Sequence, residues 1–202
     1  VTVRHVAILA GAGGRAAAPP GVDAELFRRA MLEDTYEVVA GLELVTPALT
    51  LPPGGRAEAE SIVWPGTQLL RAGTAAQVLA ELADLGAEEA ALVVPDVPDL
   101  PALLIGKLFR ALGGAPVAAC PAADGSLVAV AVRLPAPGWL DDLDLDAPDA
   151  AARLRGAAPG AGLVRRGPGW HRLRTPADLH HLDPGLEGWD TTRTLLQGVP
   201  LN

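Results

Sequence analysis

Two carboxylates, Asp96 and Asp99, stand among three prolines in Val93-Val94-Pro95-Asp96-Val97-Pro98-Asp99-Leu100-Pro101, directly after an apolar run over residues 90–94. Hard divalent cations take oxygen ligands and share them with phosphates, so a carboxylate at a strand end can hold such a cation against a phosphorylated ligand. In open α/β sheets, ligands collect beyond the carboxyl ends of the strands. Asp96 is therefore the expected metal-site residue. Asp99 lies two residues before Pro101 and reads as a helix cap. Asp124 precedes Gly125 in a tight turn. Turn chemistry alone explains an Asp-Gly pair, and the same carboxylate is a candidate for catalysis.

Other residues offer paired readings. Gly11-Ala12-Gly13-Gly14-Arg15-Ala16 formally fits G-x-G-x-x-A, but Pro19-Pro20-Gly21 blocks the helix that a dinucleotide site needs at that place. What is left is a glycine loop whose N–H groups approach phosphate, with Arg15 as partner, or a plain connection. His171 sits among Arg165, Arg166, Arg172 and Arg174, the one concentrated basic stretch. It faces an anionic phosphate or is an exposed basic loop. Asp142, Asp144 and Asp146 alternate like calcium-loop ligands, yet the sixth position is Ala147 and the twelfth Arg153, so a solvated acidic loop is expected. His180 and His181 are adjacent, and on a helix they would diverge. Trp139, Trp170 and Trp189 either pack under loops or form an exposed patch. No P-loop, G-x-S-x-G or H-E-x-x-H pattern occurs.

These residues need a scaffold, and the pattern supplies one. Residues 3–9 read as a buried strand. Asp23 caps a helix running to about Ala40, with Phe27, Ala30, Met31 and Val38 on one side. A strand falls within 42–51, and a short third strand is expected at 61–64. Thr74 to Gln77 is a capping box, opening a helix whose apolar face is Ala75, Val78, Leu79, Leu82 and Leu85. Strands follow at 90–94, 115–119 and 127–133, with a helix over about 100–112. Beyond Pro135 a short helix at 149–155 and a helical turn at 176–181, capped by Thr175, are expected. Residues 156–169 read as loop, and the tail from 183 carries little periodicity. Alternating strands and helices imply a three-layer α/β sandwich with a mainly parallel sheet, mixed where 115–119 meets 127–133. A single domain over 1–202 is expected.

The chain has 202 residues, half of them apolar, and a net charge of −8. That length supports a core, and that composition excludes global disorder. Lys107 is the only lysine. The acidic balance argues against a nucleic-acid surface, which needs clustered cations. Cys120 is the lone cysteine and, set in an apolar run, is expected to be buried and inert. No apolar run reaches the roughly 18 residues of a membrane span, and the first residues lack the layout of a leader peptide. A cytoplasmic location without membrane contact is the resulting expectation.

Taken together, the residues resemble the radical-SAM/selenodomain-associated transferase-like proteins of the nucleotide-diphospho-sugar transferase superfamily, which have a GT-A-type fold. Phe27-Arg28-Arg29-Ala30-Met31-Leu32-Glu33-Asp34-Thr35 resembles the first helix of that family. Pro95-Asp96-Val97-Pro98-Asp99-Leu100 resembles its Ser-Asp-Cys-Pro-Asp-Leu element. Pro121-Ala122-Ala123-Asp124-Gly125 resembles the segment that continues there as Asp-Gly-Gly-Tyr, and Thr175-Pro176-Ala177-Asp178-Leu179 its closing Asp-x-Asp-Thr-Pro-x-Asp-Leu. Departures accompany the matches. The Lys-Thr-Arg-Leu of the first loop is Gly14-Arg15-Ala16-Ala17-Ala18-Pro19, Ser126-Leu127 replaces Gly-Tyr, and Arg172 and Arg174 stand where aspartates are expected.

The resemblance implies a nucleotide or nucleotide-sugar partner, glycosyl transfer if the chain is active, and magnesium or manganese as cofactor. Asp96 would hold the metal and Asp124 would position the acceptor. Gly11, Gly13, Gly14 and Arg15 would cradle the nucleotide, and Arg172 and Arg174 would meet the phosphates. Two alternatives stand beside it: a non-catalytic scaffold or partner-binding member, and a nucleotidyltransferase resembling the 2-phospholactate guanylyltransferases. Acceptor, base preference and oligomeric state are not encoded in any motif.

Overall fold

The protein is described by a computed structural model over residues 2–11, 18–51, 55–71 and 73–199. Gly13, Gly14 and Arg15 of the expected phosphate loop lie outside these residues. Within them the chain runs β1 (Arg4–Ile8), α1 (Ala24–Ala40), β2 (Thr46–Thr50), α2 (Arg56–Ile62), β3 (Gln68–Leu70), α3 (Ala75–Asp84) and β4 (Glu89–Val93). It continues as α4 (Ala102–Ala111), β5 (Val117–Pro121), β6 (Leu127–Arg133), a 3-10 turn (Gly138–Leu140) and α5 (Ala150–Ala157). The last elements are β7 (Val164–Arg166), a 3-10 segment (Pro176–His181) and α6 (Asp190–Leu195).

The strands form one seven-stranded sheet in the order β3-β2-β1-β4-β6-β5-β7. β6 alone runs antiparallel to its neighbours β4 and β5; the other pairs are parallel. The central strands are buried on both faces, with Val6 to Ile8, Ala90 to Val94 and Leu127 to Val132 all closed to solvent. Strands of that kind need helices on both sides of the sheet. α1 packs against β1 and β2, α3 against β4, and α4 against β4, β5 and β6. The mixed three-layer architecture expected from the sequence is present.

Local signals explain most boundaries. Asp23 accepts the N–H groups of Glu25 and Leu26 and starts α1. The Thr74–Gln77 capping box starts α3, whose Ala75, Val78, Leu79 and Leu82 are buried, whereas Leu85 is 45% exposed past its end. Thr175 and Asp178 form a second capping box at the 176–181 segment. Other expectations are corrected. Residues 61–64 are not a strand; Ser61 and Ile62 end α2, and the third strand is Gln68–Leu70. Residues 164–166 pair with β5 as an edge strand. The tail forms α6, capped by a carboxylate far away in sequence: Asp34 accepts the N–H groups of Thr191 and Thr192 at 3.0 and 2.7 Å. Phe27 and Met31 of α1 join Leu173, Leu179, Leu182, Trp189 and Leu196 in a second apolar cluster. Cys120 is buried as expected, and burial pushes its thiol up to about 12. Among the described residues no helix is long and apolar enough to cross a membrane.

Candidate functional site

The site lies past the carboxyl ends of β1 and β4. Ile8 and Val93 are register partners in these parallel strands, and Gly11 and Asp96 each follow three residues beyond them. Antiparallel β6 begins at the same end, because Val93 pairs with Ala129. The β5–β6 turn therefore lies at the same end, where Ser126 and Asp96 share the guanidinium of Arg172. This turn needs its glycine: Gly125 has φ +86°, and a Cβ there would collide with the Pro148 carbonyl. The segment 167–174 then crosses the rim. Gly167 N–H donates to Ala119 O, Trp170 N–H to Pro121 O and Leu173 N–H to Asp96 O.

That crossing carries Arg172 into the interior. Its side chain is 1% exposed and that of Asp96 3%. Nε donates to Asp96 Oδ1 at 2.9 Å and Nη2 to Oδ2 at 2.9 Å, a two-pronged pair. Nη2 also meets Asp146 Oδ1 at 2.5 Å, and Nη1 donates to Ser126 Oγ and to the carbonyls of Leu127 and Leu145 at 3.2–3.3 Å. Every N–H of the guanidinium group thus points at a protein oxygen. Burial opposes its charge, but Asp96 and Asp146 outweigh burial and hold its pKa above the usual value. At Asp96 burial is the larger influence and pushes the carboxyl up, against the pull of Arg172. The two-pronged guanidinium contact favours the charged carboxylate, and burial opposes it.

Two expectations change on this geometry. Asp96 was expected open to solvent as a metal ligand; it is sealed, and both its oxygens are held by a guanidinium. Arg172 was expected to meet phosphate; its donors are already engaged. Nor do the described residues bring three His, Cys, Asp or Glu side chains together in a cation-binding arrangement. A divalent ion does not fit this donor set, since the guanidinium occupies the space between Asp96 and Asp146.

Arg174 and Asp124 remain at the rim. Their side chains are 27% and 45% exposed, and Nη1 lies 3.2 Å from Asp124 Oδ2. Arg174 also approaches the Asp146 carbonyl at 3.4 Å, and its own N–H donates to Asp178. Partial burial works against ionisation of Asp124, but Ser126 and Arg174 outweigh it and hold the carboxyl below the usual range. Gly11 is exposed at the end of β1.

Asp99 has a different job from the expected cap. The N-cap of α4 is Pro101, without a side-chain hydrogen bond. Buried Asp99 instead lies 2.9 Å from His171 Nε2 with both oxygens, of which Oδ1 has hydrogen-bond geometry, and Oδ1 also accepts from Trp170 Nε1 at 3.3 Å. A carboxylate only accepts, so Nε2 carries the proton. Trp170, His171 and His181 stack, with ring centroids 4.8 and 5.4 Å apart, and His180 leans on His181 at 3.8 Å. Stacked rings do not aim their nitrogens at one point. Sequence reasoning missed the Asp99–His171 contact because its partners are 72 positions apart and no local spacing signals it.

No protein-family model matches the chain, and no curated protein matches it. Solved structures do. A candidate nucleotide-diphospho-sugar transferase from Desulfovibrio desulfuricans G20 superposes with a TM-score of 0.75 at 18% identity, covering 98% of each chain. Rv0371c from Mycobacterium tuberculosis H37Rv gives 0.61 at 18% identity over 98% of this chain and 99% of that one; it has also been solved in complex with manganese. CMP:2-keto-3-deoxy-manno-octonic acid synthetase, solved with CTP, gives 0.56 at 11% identity, covering 98% and 99%. At these identities the likeness is one of fold: the chain is built on the same mixed α/β architecture as these proteins.

Proposed function

We propose that this protein is a metal-independent nucleotide or nucleotide-sugar binder, in which a fold used elsewhere for transfer has become a binding fold. One observation carries the reading: Arg172 closes the Asp96 carboxylate, the group that a metal-assisted transfer would need open. Metal-assisted glycosyl transfer and guanylyl transfer are therefore set aside. The ligand would enter past the carboxyl ends of β1 and β4. There Gly11 opens the loop after β1, and Arg174 is the solvent-reaching cation for a diphosphate. Asp124 orients Arg174 and balances its charge until an anion arrives. The buried Arg172–Asp96 pair fixes the segment on which Arg174 rides. Support for a nucleotide as partner comes from the shared fold, since the octonic acid synthetase was solved with CTP.

The test is calorimetric titration of the full chain with CTP, UDP-sugars and GDP-sugars, once in a chelator and once with manganese. Equal affinity in both conditions is expected. Arg174→Ala should weaken binding by about tenfold or more, because a hydrogen bond to a charged group is worth about 1.5–3 kcal/mol. Binding or transfer that appears only with manganese refutes the proposal, as does a failure to bind any nucleotide.

A further inference from the structure

A second cleft lies between residues 139–144 and α5, with a volume of ≈ 370 Å³. Its floor is apolar: Leu140, Ala150 and Leu154 are buried there. The half-buried indole of Trp139 lines it, and exposed Asp142, Asp144 and Arg153 stand around it. Small-molecule sites have this size and this mixture of apolar lining with a few polar groups.

We infer that this cleft binds a neutral, hydroxylated ring, a pyranose-type sugar. The charges around the cleft are mixed, with two carboxylates and one guanidinium. A polyol can use both kinds of group, because its hydroxyls donate to Asp142 and Asp144 and accept from Arg153. An indole is a surface on which the carbon side of such a ring can pack. The cleft is also held firmly. Asp144 Oδ1 accepts the Asp146 N–H at 2.9 Å, and Asp146 in turn is bound at 2.5 Å by the buried Arg172. Its position does not depend on the nucleotide reading, because none of its lining residues belongs to the rim around Asp124 and Arg174.

Gly156 makes the test clean. It lines the cleft from α5, and a Cβ there would meet nothing within 4 Å. Gly156→Phe therefore sets a ring on the wall of the cleft with room at its Cβ. Saturation-transfer NMR is run on the full chain with methyl glucoside, methyl mannoside and methyl galactoside, without nucleotide. At least one glycoside should bind with a dissociation constant on the order of 1 mM. The signal should vanish in Trp139→Ala and Gly156→Phe and persist in Trp139→Phe. Circular dichroism checks that each variant is folded, and Gly156→Phe serves if Trp139→Ala is not. Absence of signal with all three glycosides overturns the inference, as does a signal unchanged in Gly156→Phe. Glycoside binding without any nucleotide binding would sustain this cleft and sink the rim proposal; the reverse result would do the opposite.

Discussion

Replacing Arg172 by alanine should destabilise the protein far more than removing a surface cation. Its side chain is 1% exposed, and the Asp96 carboxylate it pairs with is 3% exposed. Without the guanidinium, Asp96 becomes an unpaired buried charge, and the carbonyls of Leu127 and Leu145 lose a shared donor. Breaking a buried ion pair from one side costs about 3–5 kcal/mol. For a chain of this size each kcal/mol lowers the melting temperature by roughly 2–4 °C. The expected fall is therefore roughly 6–20 °C by calorimetry, or about 3–5 kcal/mol by urea unfolding. The double variant Asp96→Asn with Arg172→Met removes the charge as well as its partner, so it should recover part of the loss. That coupling separates the pair from simple lost packing. A loss below about 1 kcal/mol for Arg172→Ala, the range of an exposed pair, would show that the guanidinium does not hold Asp96 in the interior and would remove the reason for setting metal chemistry aside.

Two further predictions rest on other parts of the fold. Gly125→Ala should cost about 2–4 kcal/mol in urea unfolding, because alanine must adopt φ +86° and also displace the Pro148 carbonyl; a neutral result would mean that the turn delivering Asp124 is not tied to the segment before α5. Burial lowers the pKa of His5 below 6.5. Above pH 6.5 neither state protonates this histidine and its contribution to stability is complete. As pH falls through 6.5 toward the folded value, the unfolded chain takes the proton first and stability drops. His5→Leu should flatten that acid-side loss in urea midpoints measured between neutral and mildly acid pH, and an unchanged slope would count against it.

The local parts of this fold were legible in the sequence. Asp23, the Thr74–Gln77 box and the Thr175–Asp178 box each cap the element they precede, because a capping side chain needs only neighbours two or three residues away. The central strands were legible as apolar runs. Residues 61–64 misled because Ile62 and Val63 have strand-forming side chains, yet Ser61 and Ile62 complete the last turn of α2. β7 and α6 were missed because their stabilisation is borrowed: β7 from the edge of β5, α6 from Asp34 and the apolar cluster on α1.

The sequence by itself determined the class of architecture and the place of Asp96 just past the end of a central strand. Periodicity, capping and the run ending at Asp96 are short-range properties, and they follow from backbone geometry and side-chain type alone. Only the tertiary structure decided what the rim can do. Asp96 and Arg172 are 76 positions apart, and whether a carboxylate faces water or a guanidinium depends on which distant segment crosses it. The same long-range closure gave Asp99 to His171 rather than to a helix end, and left Arg174 beside Asp124 as the cation that reaches solvent.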